Sequence, residues 1–487
     1  MTGASLRLLL IDRWRRWSPA FALDYRAVAV FRIGLGLLLL FDLVSRARDF
    51  RSHYTEEGVM PLNIAGDYSS HAALIPLHQL SEANAWQGIL FVILGLFSCG
   101  ICLGIYSRVC TLGAWLFLGA LQARNPLVLY GADNVLMLLL LWGAFLPLGS
   151  RWSFDSWRFG RVKHGGFVSA GSVAYVLQIG VIYFFSFLSK SGETWWSGRA
   201  VETVLHLDQY TSASGVWLLQ YPQLLQVLNW GTLGGEFLAP LCLLIPGPRF
   251  RIVALVLIAM LQIGFAAFME LGLFPWVSLI ALIPLAAWGR SVVVPGVVGR
   301  PSGRLATGAN VLCVGLIGLM LLGNVVVSRV AFQRSRLQTV LPGSLVAGME
   351  RLRLDQSWSM FSPDPPLEDG WLVIEATLED GGKVDLLSGK RAVSEAKPPS
   401  VSNSFGGDRW KAYFLNLVQR RLSWRRVVEV SVRNWEAESG ESARIKGVKV
   451  VYVREDTVLS GKALLESVEL YRWEAARDRL VPSEGGD

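Results

Sequence analysis

The sequence predicts a polytopic α-helical membrane protein of about nine spans, followed by a C-terminal β-rich α+β domain outside the membrane. Three observations carry that prediction. Of the 487 residues, 52% are hydrophobic and only 17% are charged, against about 25% charge in soluble domains, and the mean hydropathy is +0.41. The apolar residues gather into runs long enough to cross a bilayer. Nineteen Trp and 23 Phe supply the interfacial anchors that such a protein needs.

The net charge of +8 does not point to nucleic acid. The arginines sit in short loops between apolar runs, which is the positive-inside pattern and not a continuous basic face. The five cysteines, at 99, 102, 110, 242 and 313, lie in or beside apolar runs, so the polar C-terminal region is not disulfide-stapled. No cleavable signal peptide is expected, because the first 26 residues are polar and Arg-rich with no Ala-x-Ala site after a short apolar core.

Taken in order, residues 1–26 carry Arg7, Arg13, Arg15 and Arg16 with Trp14 and Trp17. They read as an amphipathic helix lying on the membrane surface. The membrane domain, 27–329, begins with a span at about 27–44 that holds Arg32 and Asp42. A polar segment, 45–85, contains His53, His71 and His78. Four apolar runs follow at about 86–105, 109–123, 130–148 and 173–189, then four more at 230–245, 252–269, 271–288 and 309–328.

Basic segments at 149–170, 246–251 and 289–308 alternate with 190–229, where Glu193, Glu202 and Asp208 balance Lys190 and Arg199. This alternation predicts a cytoplasmic N-terminus and an extracytoplasmic 190–229 loop. Arg46, Arg48 and Arg51 oppose that orientation. With nine spans, the C-terminal domain, 330–487, falls on the same side as Lys190. Its β-branched and aromatic stretches at 371–378, 427–432, 447–453 and 467–473 predict strands. Trp410, Phe414, Leu417 and Val418 recur with helical spacing over 409–422, and 394–408 reads as a loop.

Ionisable groups at membrane depth raise a functional hypothesis by default, and Lys190 is the sharpest case. It stands in 183–200, YFFSFLSKSGETWWSGRA, at the mouth of an apolar helix beside Trp195 and Trp196. Desolvation disfavours an ammonium, and a free amine there could take a proton from a weakly acidic quinol or carbon acid. A cation snorkelling from a helix end gives the same pattern. Arg32 is expected to pair with an acid on another span, since Asp42 is nearly three turns away on its own helix. Glu236 follows Gly234 and Gly235, where close helix packing is expected, and could neutralise Lys190 or Arg32.

Other candidates are weaker. The three histidines match no compact metal spacing, and no metal is expected. Cys99 and Cys102 form CGIC, which reads as helix packing before it reads as a redox dithiol. The segment 358–366, WSMFSPDPP, is expected to dock the C-terminal domain onto the membrane part. A transporter reading would want inverted repeats with interrupted helices, and no such pair is visible.

Residues 20–330 resemble the HTTM (horizontally transferred transmembrane) family, which includes the vitamin K-dependent gamma-glutamyl carboxylase. The residues carrying the resemblance are Arg32, the 124–126 Arg-Asn-Pro segment leading to Gly131 and Asp133, the 147–155 exit PLGSRWSFD, and Tyr183-Phe-Phe with Lys190, Trp195 and Gly198. The resemblance implies that Lys190 is a base facing a reduced, vitamin K-like quinone, with carboxylase- or epoxidase-like quinol chemistry. Arg32, Asp133, Trp195 and Glu236 are the pocket residues set beside it. Two family histidines are replaced, one in the Ala132–Asp133 neighbourhood and one at Gln262, which argues against glutamate carboxylation itself. The alternative is a non-catalytic protein whose pocket binds lipid or quinone and whose C-terminal domain offers a surface to a protein partner. The location expected is a bacterial inner membrane.

Overall fold

A computed structural model describes residues 14–68, 74–160, 162–286, 304–327, 341–439, 444–456 and 464–475. Nine helices occupy the nine apolar runs: α1 Tyr25–Arg48, α2 Asn84–Leu103, α3 Ser107–Arg124, α4 Gly131–Gly143, α5 Ala170–Ser189, α6 Pro222–Leu244, α7 Pro248–Phe268, α8 Phe274–Leu282 and α9 Arg304–Val327. By length and apolarity, six are candidate membrane spans: α1, α2, α5, α6, α7 and the Thr307–Val326 part of α9. Gly131–Gly143 and Phe274–Leu285 are shorter apolar helices.

Local chemistry sets the helix ends. The Asp24 side chain accepts the Arg26 amide at 2.6 Å and starts α1. Ser169 and Ser172 form a reciprocal cap at the head of α5, satisfying amides that have no partner inside the helix. Pro222 and Pro248 open α6 and α7, where a missing N–H costs nothing. Gly104 closes α2 with φ +71°, a conformation that favours glycine.

In the bundle α1 packs on α2, α5 on α6 and α9, and α6 on α7. The helix ends sort onto two faces. On one, Arg251 of α7 donates to the carbonyls of Ala20 and Ala22 ahead of α1. There Arg32, in the first half of α1, also meets the end of α2, and β1 (Leu23–Asp24) pairs with β2 (Gly166–Phe167). The other face collects the ends of α1, α3, α5, α7 and α9, and the C-terminal domain sits against it.

Within that domain, α10 (Gly343–Arg351) precedes a four-stranded antiparallel sheet of β3 (Glu368–Leu378), β4 (Lys383–Asp385), β5 (Ile445–Asp456) and β6 (Leu464–Glu474), in the order β4-β3-β5-β6. Trp371 faces Val453 and Val373 faces Val451 across β3 and β5. Helices α11 (Asp408–Arg420) and α12 (Arg425–Ser439) cover the sheet. Their core also takes in Val59, Met60, Leu127 and Val128 from loops of the bundle. Apolar burial therefore runs continuously across the junction.

Three expectations need correction here. The predicted strand at 427–432 is part of α12. Val427, Val428 and Val430 are buried together, and the spacing i, i+1, i+3 makes one helical face. The 394–408 loop contains a short helical turn at Val401–Ser404. Arg46 is no loop charge to be counted for orientation, because it is wholly buried inside α1. Of the predicted N-terminal surface helix, residues 1–13 lie outside the described residues, as does His71; Trp14 and Trp17 are exposed.

Candidate functional site

Lys190 ends α5, with its amide bonded to the Phe187 carbonyl at 3.0 Å. Its side chain turns back into the bundle and is only 4% exposed. Nζ donates to Ser186 Oγ at 2.7 Å and to Glu236 Oε1 at 3.0 Å. Glu236 Oε2 is 2.9 Å away, but it lacks hydrogen-bond geometry and has no hydrogen-bond partner of its own. Ser186 also donates to Glu236 Oε1, at 2.9 Å. The Trp195 ring lies 5.1 Å from Nζ, within cation–π range. Lysine, glutamate, serine and tryptophan thus form one buried unit.

The spacing explains why the sequence builds it. Ser186 and Lys190 are i and i+4 on α5, so their side chains meet on one face. Glu236 comes from the middle of α6, which packs on α5. The expected tight packing at Gly234 and Gly235 is not seen: a Cβ at either would meet nothing within 4 Å.

The loop after Lys190 is held by the C-terminal chain. Thr194 donates its amide to Asp364 Oδ1 at 2.8 Å, Trp195 Nε1 donates to the Phe361 carbonyl at 2.8 Å, and the Gly192 amide donates to the Pro363 carbonyl at 3.0 Å. A Cβ on Gly192 would collide with the Asp364 carboxylate. The 358–366 segment therefore docks on the rim of the lysine site. Below it, Gln356 and Gln178 exchange amide hydrogen bonds at 2.7 and 3.1 Å.

One layer deeper, Gln262 of α7 donates to the Tyr183 hydroxyl at 3.1 Å, and its own Oε1 is buried with no hydrogen-bond partner. Tyr183 is two turns before Lys190 on α5, within electrostatic reach of Glu236.

Arg32 and Asp133 are not part of this unit. Arg32 lies towards the opposite face, where it donates to the carbonyls of Ile101 and Cys102 at 2.5 Å and of Trp152 at 2.6 Å. The expectation of an acidic partner on another span is thus corrected: Arg32 caps the carbonyl end of α2, where the helix dipole is negative. Asp133 belongs to a second ionic cluster. Arg46 bonds Asp42 at 2.8 Å and also Asp133. Arg409, from α11 of the C-terminal domain, bonds Asp42 at 2.5 Å and Asp133 at 3.1 Å. Two guanidinium groups and two carboxylates balance inside a buried site. Sequence reading missed Arg46 and Arg409. The i, i+4 spacing of Asp42 and Arg46 was a legible signal, but no pattern tied Arg409 to residues more than 270 positions away.

Among the described residues, His53, His78 and Cys102 pack against neighbouring residues. His53 packs against Trp410 with ring centroids 4.2 Å apart and the planes tilted by 49°, and burial, with Arg409 and Arg46 nearby, pushes it down to about 3. His78 bonds Gln87 at 2.5 Å. Cys102 packs against Gly36, while Cys99 is exposed. Among the described residues, one carboxylate cluster has a spacing that could hold a metal ion: Asp208, Asp369 and Glu455, within 4.8 Å of one another. The Lys397 ammonium neutralises two of them, bonded to Asp208 and 2.8 Å from Glu455.

The HTTM domain family model matches residues 22–287, more than half of the chain. No curated protein and no solved structure matches.

Proposed function

The chain belongs to the HTTM domain family, the domain of vitamin K-dependent carboxylase-like proteins, and from that premise we propose that it binds a quinol or another lipophilic molecule between its helices, with Lys190 as base. The observation that carries this reading is the Lys190–Ser186–Glu236 unit held between α5 and α6, with Gln262 Oε1 one layer deeper left buried without a donor. Buried acceptors without donors are costly. A quinol hydroxyl is a donor of the kind the Gln262 oxygen lacks, so the residues present fit such a molecule.

The chemistry follows from the pair. A base needs an unprotonated amine, and Glu236 gives the ammonium proton somewhere to go. Amine plus carboxylic acid is as neutral overall as ammonium plus carboxylate, so exchange within the pair leaves no net charge in apolar surroundings. A hydroxyl proton then passes to the Lys190 amine, and the ammonium, still beside Glu236, faces the oxyanion it has produced. Trp195 supplies a ring face on which an aromatic ligand can pack. The 358–366 segment closes the rim against water. Bound to the site, a reduced quinone would supply the redox chemistry. Glutamate carboxylation is not proposed, because the resemblance finds two family histidines replaced, one in the Ala132–Asp133 neighbourhood and one at Gln262, and here Asp133 is held by two arginines and Gln262 by Tyr183.

Membranes containing the Lys190→Ala and Lys190→Arg variants test the reading by reduced-quinone oxidation. Both should lose turnover, and parent-like rates in both would remove Lys190 as base. A second reading is favoured by the completeness of the ion pair: Lys190 and Glu236 would then only hold α5 on α6 in a non-catalytic protein that binds lipid, quinone or a protein partner. Quinone found by mass spectrometry in purified parent, with no oxidation by any variant or the parent, would select it.

For topology we propose nine crossings in a bacterial inner membrane, with a cytoplasmic N-terminus and an extracytoplasmic C-terminal domain. Reporter fusions at residues 165, 210 and 345 should read inside, outside and outside; a cytoplasmic signal at 345 would overturn it.

A further inference from the structure

On the face opposite Lys190, the segment after α4 is built into a rigid apolar groove. The short helix Phe154–Arg158 is capped by Ser153. Asp155 accepts the amides of Tyr106 and Ser107 at 2.8 and 2.9 Å and the Ser107 hydroxyl at 3.0 Å. Arg32 holds the Trp152 carbonyl at 2.6 Å, and Trp152 sits at φ +48°, a conformation that a bulky side chain rarely adopts. This scaffold nevertheless presents its largest apolar side chains outward. Trp157 is 77% exposed and Trp152 51%.

The resulting cavity has a volume of about 710 Å³, with Leu103, Ile105, Trp152, Trp157 and Val162 among its lining residues and Arg151 beside them. That volume is in the range of small-molecule sites, roughly 300–1,000 Å³. Its surroundings are basic. The Arg151 guanidinium stacks over Trp152 at 5.6 Å and that of Arg158 over Phe159 at 5.9 Å. Arg151 Nη1 reaches His164 at 2.8 Å, while its Nε is buried without a hydrogen-bond partner. Arg108, exposed, and Lys163 stand on the same side. Among the described residues the salt bridges engage none of these four cations. The one acid of the segment, Asp155, is taken up by backbone amides.

We propose that this groove binds one anionic phospholipid, its acyl chain against the tryptophans and its phosphate at Arg151, which lines the groove, with Arg158 following Trp157 on the adjoining short helix. Charge complementarity selects the occupant: an apolar trough alone would take any lipid, but guanidinium groups that have no carboxylate partner among the described residues favour a negative headgroup. The inference uses the membrane character of the chain and does not depend on the chemistry assigned to Lys190.

Native mass spectrometry of the detergent-purified protein, titrated with phosphatidylglycerol and with phosphatidylcholine of the same chains, tests it. Phosphatidylglycerol should be retained preferentially. The Arg151→Gln/Arg158→Gln variant should lose that preference, by about fivefold for each arginine. Trp157→Ala should weaken retention of both lipids while leaving their ratio unchanged. Lys190→Ala should keep the preference, which separates failure of this site from failure of the quinol reading. Equal retention of the two lipids by the parent would overturn the proposal, as would an undiminished preference in a double variant that unfolds at the parent's temperature. Displacement of bound lipid by soluble glycerol phosphate at matched concentration would also overturn it, by making the site one for phosphate.

Discussion

Among the described residues, the ionic clusters around Arg409 and around Lys190 are both buried, and they differ in how completely they are satisfied. Around Asp42, Arg46, Asp133 and Arg409, two positive and two negative groups share five hydrogen bonds between side chains, and Tyr54 and the Val128 carbonyl take further donors. Around Lys190, one ion pair and one serine are bonded to each other, and Gln262 deeper in keeps an unused acceptor. A closed network has nothing to offer a ligand, so it specifies how parts fit together. An incompletely satisfied site holds capacity that a bound molecule can use. The first cluster joins the C-terminal domain to the bundle, and the second is the unit for which a binding role is proposed.

The largest effect should come from breaking the closed network. Arg409→Met leaves two carboxylates facing one guanidinium and should cost about 3–5 kcal/mol, seen as a lowered unfolding temperature and as protease release of the C-terminal domain. An unchanged protease pattern would remove the joining role.

The open pair should respond differently. Lys190→Met or Glu236→Leu alone should each cost about 3 kcal/mol, and the double variant should recover most of it, because the uncompensated buried charge is gone. Quinol turnover should be absent from all three. Recovery of turnover along with stability in the double variant would make the pair purely structural.

A third cluster, at the junction outside the bundle, gives a pH-dependent version of the comparison. Burial, then the charges of Asp208 and Glu455, push the Asp369 carboxyl up to about 7, whereas in an unfolded chain it titrates near about 3.9. Between these values the unfolded chain releases a proton that the folded chain keeps, so stability falls as pH rises through that window. Relative to Asp369→Asn, the parent should lose about 2 kcal/mol between pH 5 and pH 7. Parallel unfolding curves for the two proteins would mean that Asp369 titrates normally.

The smallest effect is at the rim. Asp364→Ala removes the acceptor of the Thr194 amide and should cost about 1 kcal/mol, with faster hydrogen exchange at Gly192–Trp195. Exchange rates equal to the parent's would show that the 358–366 segment is not what holds the lysine loop.

Much of this was legible in the sequence, for a physical reason. A bilayer needs long apolar runs and basic loops, and both are local properties of the chain, so every apolar run became a helix where it was read. Lys190, Trp195 and the docking segment 358–366 also announced themselves locally, as a cation and aromatics at a helix mouth and as a Pro-rich aromatic turn. The β-branched stretch at 427–432 misled, because alternation and helical facing look alike over six residues and the packing partner decides between them. Tertiary structure alone decided which charges meet. Arg32 and Asp133 looked like neighbours of Lys190 because all three are charges at membrane depth, yet one caps a distant helix end and the other is held by an arginine from beyond the bundle. Charge pairing acts over a few ångströms, and sequence separation carries no record of that distance.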